Sequence, residues 1–123
     1  MSKKKEVIFT STRGGKYEGE WKGGKRHGQG KLTYSDGREF VGEWKNGEPN
    51  GKGTYIFGKG KWEGDKYIGE FKNGKKHGQG NYTASSGEKY IGEFKDGEKW
   101  NGTHYDKEGR IIGKLANGCL DSN

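Results

Sequence analysis

Residues 17–30 read Tyr17-Glu18-Gly19-Glu20-Trp21-Lys22-Gly23-Gly24-Lys25-Arg26-His27-Gly28-Gln29-Gly30, and the order of rings and glycines in this stretch decides the fold. Tyr17, Gly19 and Trp21 alternate with Glu18 and Glu20, which is the period of a β-strand and not of a helix. Gly28, Gly30, Leu32 and Tyr34 repeat that alternation on a returning strand. The intervening Lys22-Gly23-Gly24-Lys25-Arg26-His27 is polar and glycine-containing, which predicts a hairpin loop. The next connection, Ser35-Asp36-Gly37, carries the Asp-Gly signature of a tight turn, and Ser86-Gly87 is a weaker version of it. One unit is therefore two antiparallel strands.

The unit recurs. Tyr17-Glu18-Gly19-Glu20-Trp21, Phe40-Val41-Gly42-Glu43-Trp44, Tyr67-Ile68-Gly69-Glu70-Phe71 and Tyr90-Ile91-Gly92-Glu93-Phe94 all read aromatic-x-Gly-Glu-aromatic, each followed by lysine. The first three continue into Gly-x-Gly pairs, Gly28/Gly30, Gly51/Gly53 and Gly78/Gly80. The fourth reads as one residue longer, Gly97-Glu98-Lys99-Trp100-Asn101-Gly102, with His104 in place of the last glycine, and predicts an irregular hairpin. Residues 111–118 form a worn fifth copy, and Val7 to Gly15 looks like the second half of an earlier one. A hairpin alone is marginal, so a fixed period predicts hairpins stacked into one sheet. Glycine inside a strand costs about 1 kcal/mol. Here it sits two positions from each aromatic, and the missing Cβ predicts a slot for a ring whose burial returns ~1.5–3 kcal/mol. Pro49 is expected in the loop of the second repeat, where its lost donor is harmless.

This pattern resembles the MORN (membrane occupation and recognition nexus) repeat family, whose motif reads approximately YxGxWxxGxxxGxG; residues 17–30, 40–53 and 67–80 follow it closely. The resemblance implies an all-β fold, a single elongated, twisted antiparallel sheet of stacked hairpins over residues 7–118, with a basic tail at 1–6 and a C-terminal tail at 119–123. Its structural residues in this chain are Tyr17, Gly19, Trp21, Phe40, Gly42, Trp44, Tyr67, Gly69, Phe71, Tyr90, Gly92 and Phe94. It also implies a module that positions partners and sometimes self-associates, so a homo-oligomer is compatible with it. Such arrays accompany lipid kinases and lysine methyltransferases, but this chain leaves no residues for either catalytic domain.

Composition agrees with a thin core. Only 25% of residues are hydrophobic and 33% are charged, values that alone would suggest disorder. Against that stand 13% aromatics and 26 glycines kept in register with them. The single cysteine, Cys119, excludes an internal disulfide and a Cys-based zinc site. Three apolar residues after the basic start are too few for a signal peptide, and no stretch approaches the ~18 needed to cross a bilayer. Ser2 in place of glycine excludes myristoylation. The expected location is cytoplasmic, and peripheral to the inner membrane surface if lipid is the ligand.

No motif carries chemistry. Residues 19–25 and 69–75 read GxxxxGK, but Arg26 and Lys76 follow where a phosphate loop needs Ser or Thr, and the flanks are strands. Glu20, Glu43, Glu70 and Glu93 recur in every copy, which argues against an active site, and they are expected on the outer face paired with lysines. His27 and His77 are equivalent positions roughly 19 Å apart, and His104 is isolated. No catalytic, cofactor or metal site is expected.

The candidate binding residues are basic. Lys22, Lys25, Arg26 and His27 decorate the first hairpin, and Lys72, Lys75, Lys76 and His77 the third, while the second is neutral. With a net charge of +7 they predict a ridge that attracts anionic surfaces, at ~1 kcal/mol per residue near a bilayer. The plainer alternative is a solvated edge that blocks aggregation. Lys59, Lys61 and Trp62 lie on a longer loop, where Trp62 either anchors a partner or folds back over the rings. Trp100 carries the same two readings. The expected function is a non-catalytic protein-interaction or scaffolding module, with anionic phospholipid as the alternative. Nucleic acid comes third, because the rings alternate with glycine and stand beside glutamates.

Overall fold

The computed structural model describes residues 7–10 and 15–120, with side chains from 15 to 119, and every regular element among them is a strand. In chain order these are β1 Val7–Thr10, β2 Lys16–Lys22, β3 Lys25–Thr33, β4 Glu39–Lys45, β5 Glu48–Ile56, β6 Lys66–Lys72, β7 Lys75–Thr83, β8 Lys89–Lys95, β9 Glu98–Tyr105, β10 Ile111–Ala116 and β11 Cys119–Leu120. Each pairs antiparallel with the next in a single open meander. The tails at 1–6 and 121–123 lie outside the described residues. Cys119–Leu120 pairs with Leu115–Ala116, so the sheet runs two residues past the expected limit at 118.

A row of glycines crosses the sheet. Gly19, Gly30, Gly42, Gly53, Gly69, Gly80, Gly92 and Gly102 stand opposite one another from β2 to β9. The rings fill the space this row leaves. A Cβ on Gly30 would lie 2.1–2.5 Å from the Tyr17 ring, and one on Gly80 2.3–2.5 Å from that of Tyr67. The predicted slot is thus real, and the first aromatic of each repeat, Tyr17, Phe40, Tyr67 and Tyr90, uses it. Trp21, Tyr17, Trp44, Phe40, Phe71, Tyr67, Phe94 and Tyr90 form one zigzag of edge-to-face contacts, 4.8–5.4 Å between centroids. Such pairs add ~0.5–1.5 kcal/mol each beyond burial. Tyr17, Tyr67 and Tyr90 are almost fully buried, and each hydroxyl donates to the carbonyl of the glutamate three residues on, at 2.8–2.9 Å.

The glycine row corrects the reading of the fourth copy. Gly102 stands opposite Gly92, as Gly30 does opposite Gly19, so Gly102 is the last glycine of its pair. His104 instead takes the place of Leu32, opposite the first aromatic of its repeat. The fourth return strand is one residue shorter than the others, not longer. Three residues oppose the glutamate in the first repeat (between Arg26 and Gly30), and only Trp100 and Asn101 do so in the fourth.

The hairpin loops are also shorter than the sequence suggested. Lys22 pairs directly with Lys25, leaving a two-residue turn, Gly23-Gly24, with φ of 60° and 82°. Asn46-Gly47, Asn73-Gly74, Asp96-Gly97 and Asn117-Gly118 repeat it, with φ of 48–52° and then 81–92°. This is the type I′ turn that fits strand twist. Pro49 therefore belongs to strand β5, opposite Trp44. The Asp-Gly and Ser-Gly turns do form, but on the opposite edge and as wider turns closed by Gly37→Tyr34 and Gly87→Ala84 bonds of 3.0 and 2.9 Å.

Candidate binding groove

Gly28, Gly51 and Gly78, expected as regular positions of the returning strands, are bulge positions at φ of 76°, 113° and 91°. Each lies beneath the repeat glutamate, whose carboxylate a Cβ would strike. Glu43 and Glu70 accept the backbone N–H of Lys52 and Gln79 at 3.1 and 3.3 Å, and Glu93 accepts from the Asn101 side chain at 2.7 Å. The carboxylates of Glu43, Glu70 and Glu93 therefore close the bulges, and among the described residues none of the three forms an ion pair with a lysine, where the sequence had suggested lysine partners.

A side chain from within each of these bulges holds the next hairpin. Asn50, His77 and Asn101 each accept the first backbone N–H of the following turn, from Asn73, Asp96 and Asn117, at 3.3, 3.2 and 2.8 Å. The turn glycines Gly47, Gly74, Gly97 and Gly118 donate to the carbonyls of Arg26, Pro49, Lys76 and Trp100 at 2.8–2.9 Å. His77 is thus a structural acceptor, and His27 stands at the equivalent position of the first repeat.

The predicted basic ridge divides. Lys22, Lys25, Lys72 and Lys75 are exposed at the hairpin tips, joined by Lys45 and Lys95, and all tips share one edge of the meander. Arg26 and Lys76 turn instead onto the aromatic face. The Arg26 guanidinium lies 5.1 Å from the Trp44 ring and 5.8 Å from that of Tyr17. The Lys76 ammonium lies 5.5–5.8 Å from the rings of Phe57, Tyr67 and Tyr82. Lys99, not singled out from the sequence, joins it at 5.4 Å from Tyr82 and 5.5 Å from Tyr90.

Lys76 and Lys99 are both half-buried, and neither forms an ion pair among the described residues. Burial pushes both ammonium groups below the ordinary lysine value; at Lys76 the charge of Lys99 adds to this, and at Lys99 Asp65 partly offsets it. Burial, then Lys99, likewise holds the His104 imidazole below its usual value. Asp65 is the one buried polar residue among those described, 5% exposed. Its oxygens accept the Tyr82 hydroxyl at 2.5 Å and the Ser85 N–H at 2.9 Å, so it is occupied in positioning Tyr82.

Two clefts flank this cluster. One of about 190 Å³ is bordered by Trp62, Tyr82, Tyr90, Lys99 and His104, with Lys89 and the carboxylates of Asp65 and Glu88 also in its lining. The other, about 340 Å³, is bordered by Tyr55, Phe57, Phe71 and Lys76. Trp62 remains 52% exposed at the mouth of the first, with the Lys61 ammonium 4.8 Å from its ring. Lys59 is exposed, but its backbone N–H donates to the Asp36 carbonyl at 2.9 Å and fastens the long loop to the neighbouring turn. Trp100 is half-buried beneath the last turn, where a Cβ on Gly118 would meet its ring at 3.1 Å. Among the described residues no group of three or more His, Cys, Asp or Glu could hold a metal ion, and no helix is long and apolar enough to cross a membrane.

A family model described as MORN repeat matches residues 17–37, 40–64, 67–89 and 90–100. The chain belongs to the MORN-repeat family. The four matches begin on the first strands of the four hairpins, and the last stops at Trp100, where this MORN array loses its bulge glycine. MORN repeats occur in protein-interaction and membrane-binding modules, and the family is generally non-enzymatic.

Proposed function

We propose that this MORN-repeat chain is a non-catalytic docking module that holds a protein partner against the aromatic, cationic face of its sheet. The observation that carries this is the pair Lys76 and Lys99, half-buried among rings without a carboxylate in ion pair among the described residues. Burying a charge without an ion-paired partner is costly, and Asp65 offsets only part of that at Lys99, so a groove that keeps two such groups is suited to a partner that supplies the opposite charge. The rings around them give contact area with little side-chain entropy to lose. Cross-linking of the purified protein to partners captured in the host cytoplasm tests the reading, followed by mapping of the linked lysines. Links concentrated at Lys76 and Lys99, together with loss of the captured partner itself in a Lys76→Met/Lys99→Met variant, support it; links spread evenly over all surface lysines refute it.

A second reading has its own observation. Lys22, Lys25, Lys45, Lys72, Lys75 and Lys95 lie exposed along one edge, which suits an anionic phospholipid surface met edge-on. Co-sedimentation with acidic vesicles at low salt, weakening as salt rises, would favour it over the groove. Both readings suppose a cytoplasmic location, which imaging of a fluorescent fusion checks.

A further inference from the structure

The chemistry of the docked partner follows from the spacing of the groove cations, and it rests on the docking function proposed above. Arg26, Pro49, Lys76 and Lys99 are equivalent positions, each directly opposite the second aromatic of its repeat, Trp21, Trp44, Phe71 and Phe94. Pro49 interrupts the series, so Lys76 and Lys99 are the two cations in adjacent repeats. They stand on β7 and β9, two strands apart, which is about 10 Å at ~4.8 Å per strand. That is the separation of their backbones; the two ammonium groups both reach the Tyr82 ring, at 5.8 and 5.4 Å from its centroid, which holds them within about 11 Å of each other.

Few ligand backbones present two negative groups at that interval. A single phosphate is too small to span it. A β-strand repeats a side about every 6.6 Å, short by a third. A helix needs two full turns to reach it, at i and i+7. A polyproline II segment returns to the same side every three residues, after about 9.3 Å. Its side chains between the two anions would face Tyr82, Tyr90, Phe57 and Trp62, an aromatic lining suited to prolyl rings.

We infer that the groove takes an extended acidic segment of a partner protein, in polyproline II conformation, with two carboxylates three residues apart. One pairs with Lys76 and the other with Lys99, and the residues between them lie against Tyr82. Pairing would also relieve the mutual repulsion of the two ammonium groups.

The test uses fluorescein-labelled, end-blocked proline-rich peptides carrying two glutamates at spacings of two, three or four, and a glutamine version of the spacing-three peptide. Anisotropy titrations compare the wild type with Lys76→Met/Lys99→Met and with Lys22→Met/Lys25→Met, the latter removing equal charge at the hairpin tip. The spacing-three peptide should bind best, lose about tenfold or more in affinity to the groove variant, and change less than about twofold with the tip variant. Equal binding at all spacings, lost only in the groove variant, overturns this inference and leaves the docking function standing. Equal losses in both variants show simple charge attraction and overturn it too. If acidic vesicles bind while no peptide does, both the inference and the groove reading fall in favour of the lipid edge. Circular dichroism confirms that each variant retains the sheet.

Discussion

Replacing Gly53 with alanine tests the packing argument most directly. Gly53 is not at positive φ, so its backbone accepts alanine and only the ring opposes the new methyl. That Cβ would lie 2.5 and 2.6 Å from Cζ and Cε1 of Phe40, with the next neighbour, the Val41 carbonyl, at 3.1 Å. Phe40 is 2% exposed and held between Trp44 at 5.1 Å and Phe71 at 4.8 Å, so the ring has no free direction of retreat. Expelling it would lose ~1.5–3 kcal/mol of burial and two edge contacts of ~0.5–1.5 kcal/mol each. Partial adjustment of the sheet limits the loss to the ~1–3 kcal/mol typical of overpacking or slightly above it. The expected destabilisation is therefore about 2–4 kcal/mol, a Tm fall on the order of 10 °C for a chain of this size. Urea unfolding followed by tryptophan fluorescence and circular dichroism measures it, with coincident curves as the two-state check. The decisive comparison is a Phe40→Leu background, which lacks both clashing atoms. There Gly53→Ala should be close to neutral, giving a coupling of about 2 kcal/mol or more. Equal cost in both backgrounds, or no cost in the wild type, would refute the account of glycine as a ring slot.

Other expectations follow from the same geometry. His104 stands where the first repeat has Leu32, and its imidazole is held below the usual value, so the unfolded chain binds its proton more readily. Stability should fall as pH drops below about 6.5, and His104→Leu should remove that slope, seen in urea midpoints between pH 5 and 8. The depressed Lys76 and Lys99 release protons from the folded state first, so stability should rise as pH climbs toward about 10.5. Lys76→Met/Lys99→Met should raise Tm at neutral pH and flatten that rise, read by thermal scans at pH 7 and 10. Asn73 has φ of 50°, so Asn73→Ala should cost about 1 kcal/mol in thermal unfolding while Asn73→Gly stays near neutral.

The hairpin period and the role of glycine were legible because both are local: a ring and a missing Cβ two positions apart define a face at once. The turns were obscured by the bulges. Gly28 and its equivalents sit so near the tip glycines that the whole stretch looks like one polar loop, although only two residues turn. That hid Arg26 and Lys76 in a supposed loop, while their parity with Gly30 and Gly80 would have placed them on the ring face. Lys99 could not be found by counting, because the missing residue after Trp100 shifts its parity relative to Gly102. Nor could the burial of Asp65, which comes from Tyr82 and Ser85 in the next hairpin.

The two margins of the sheet differ in their tolerance of added chain. Along the tips, the four turns from Asn46-Gly47 onward are each latched to the preceding hairpin by the glycine N–H, so even one extra residue there would break a bond to a neighbour as well as the turn itself. On the opposite margin the Phe57–Asp65 segment is already longer than the other turns there, yet Ile56 still pairs with Lys66 and the glycine row continues through Gly53 and Gly69 without a step. Foreign loops grafted between Ser35 and Asp36, or between Ser85 and Ser86, should therefore leave the strand register intact, at most costing the Lys59→Asp36 or Ser85→Asp65 bond beside them. The latched margin accepts new surface chemistry only by substitution. Diversity of recognition can grow from one side of this molecule while the other keeps its pitch.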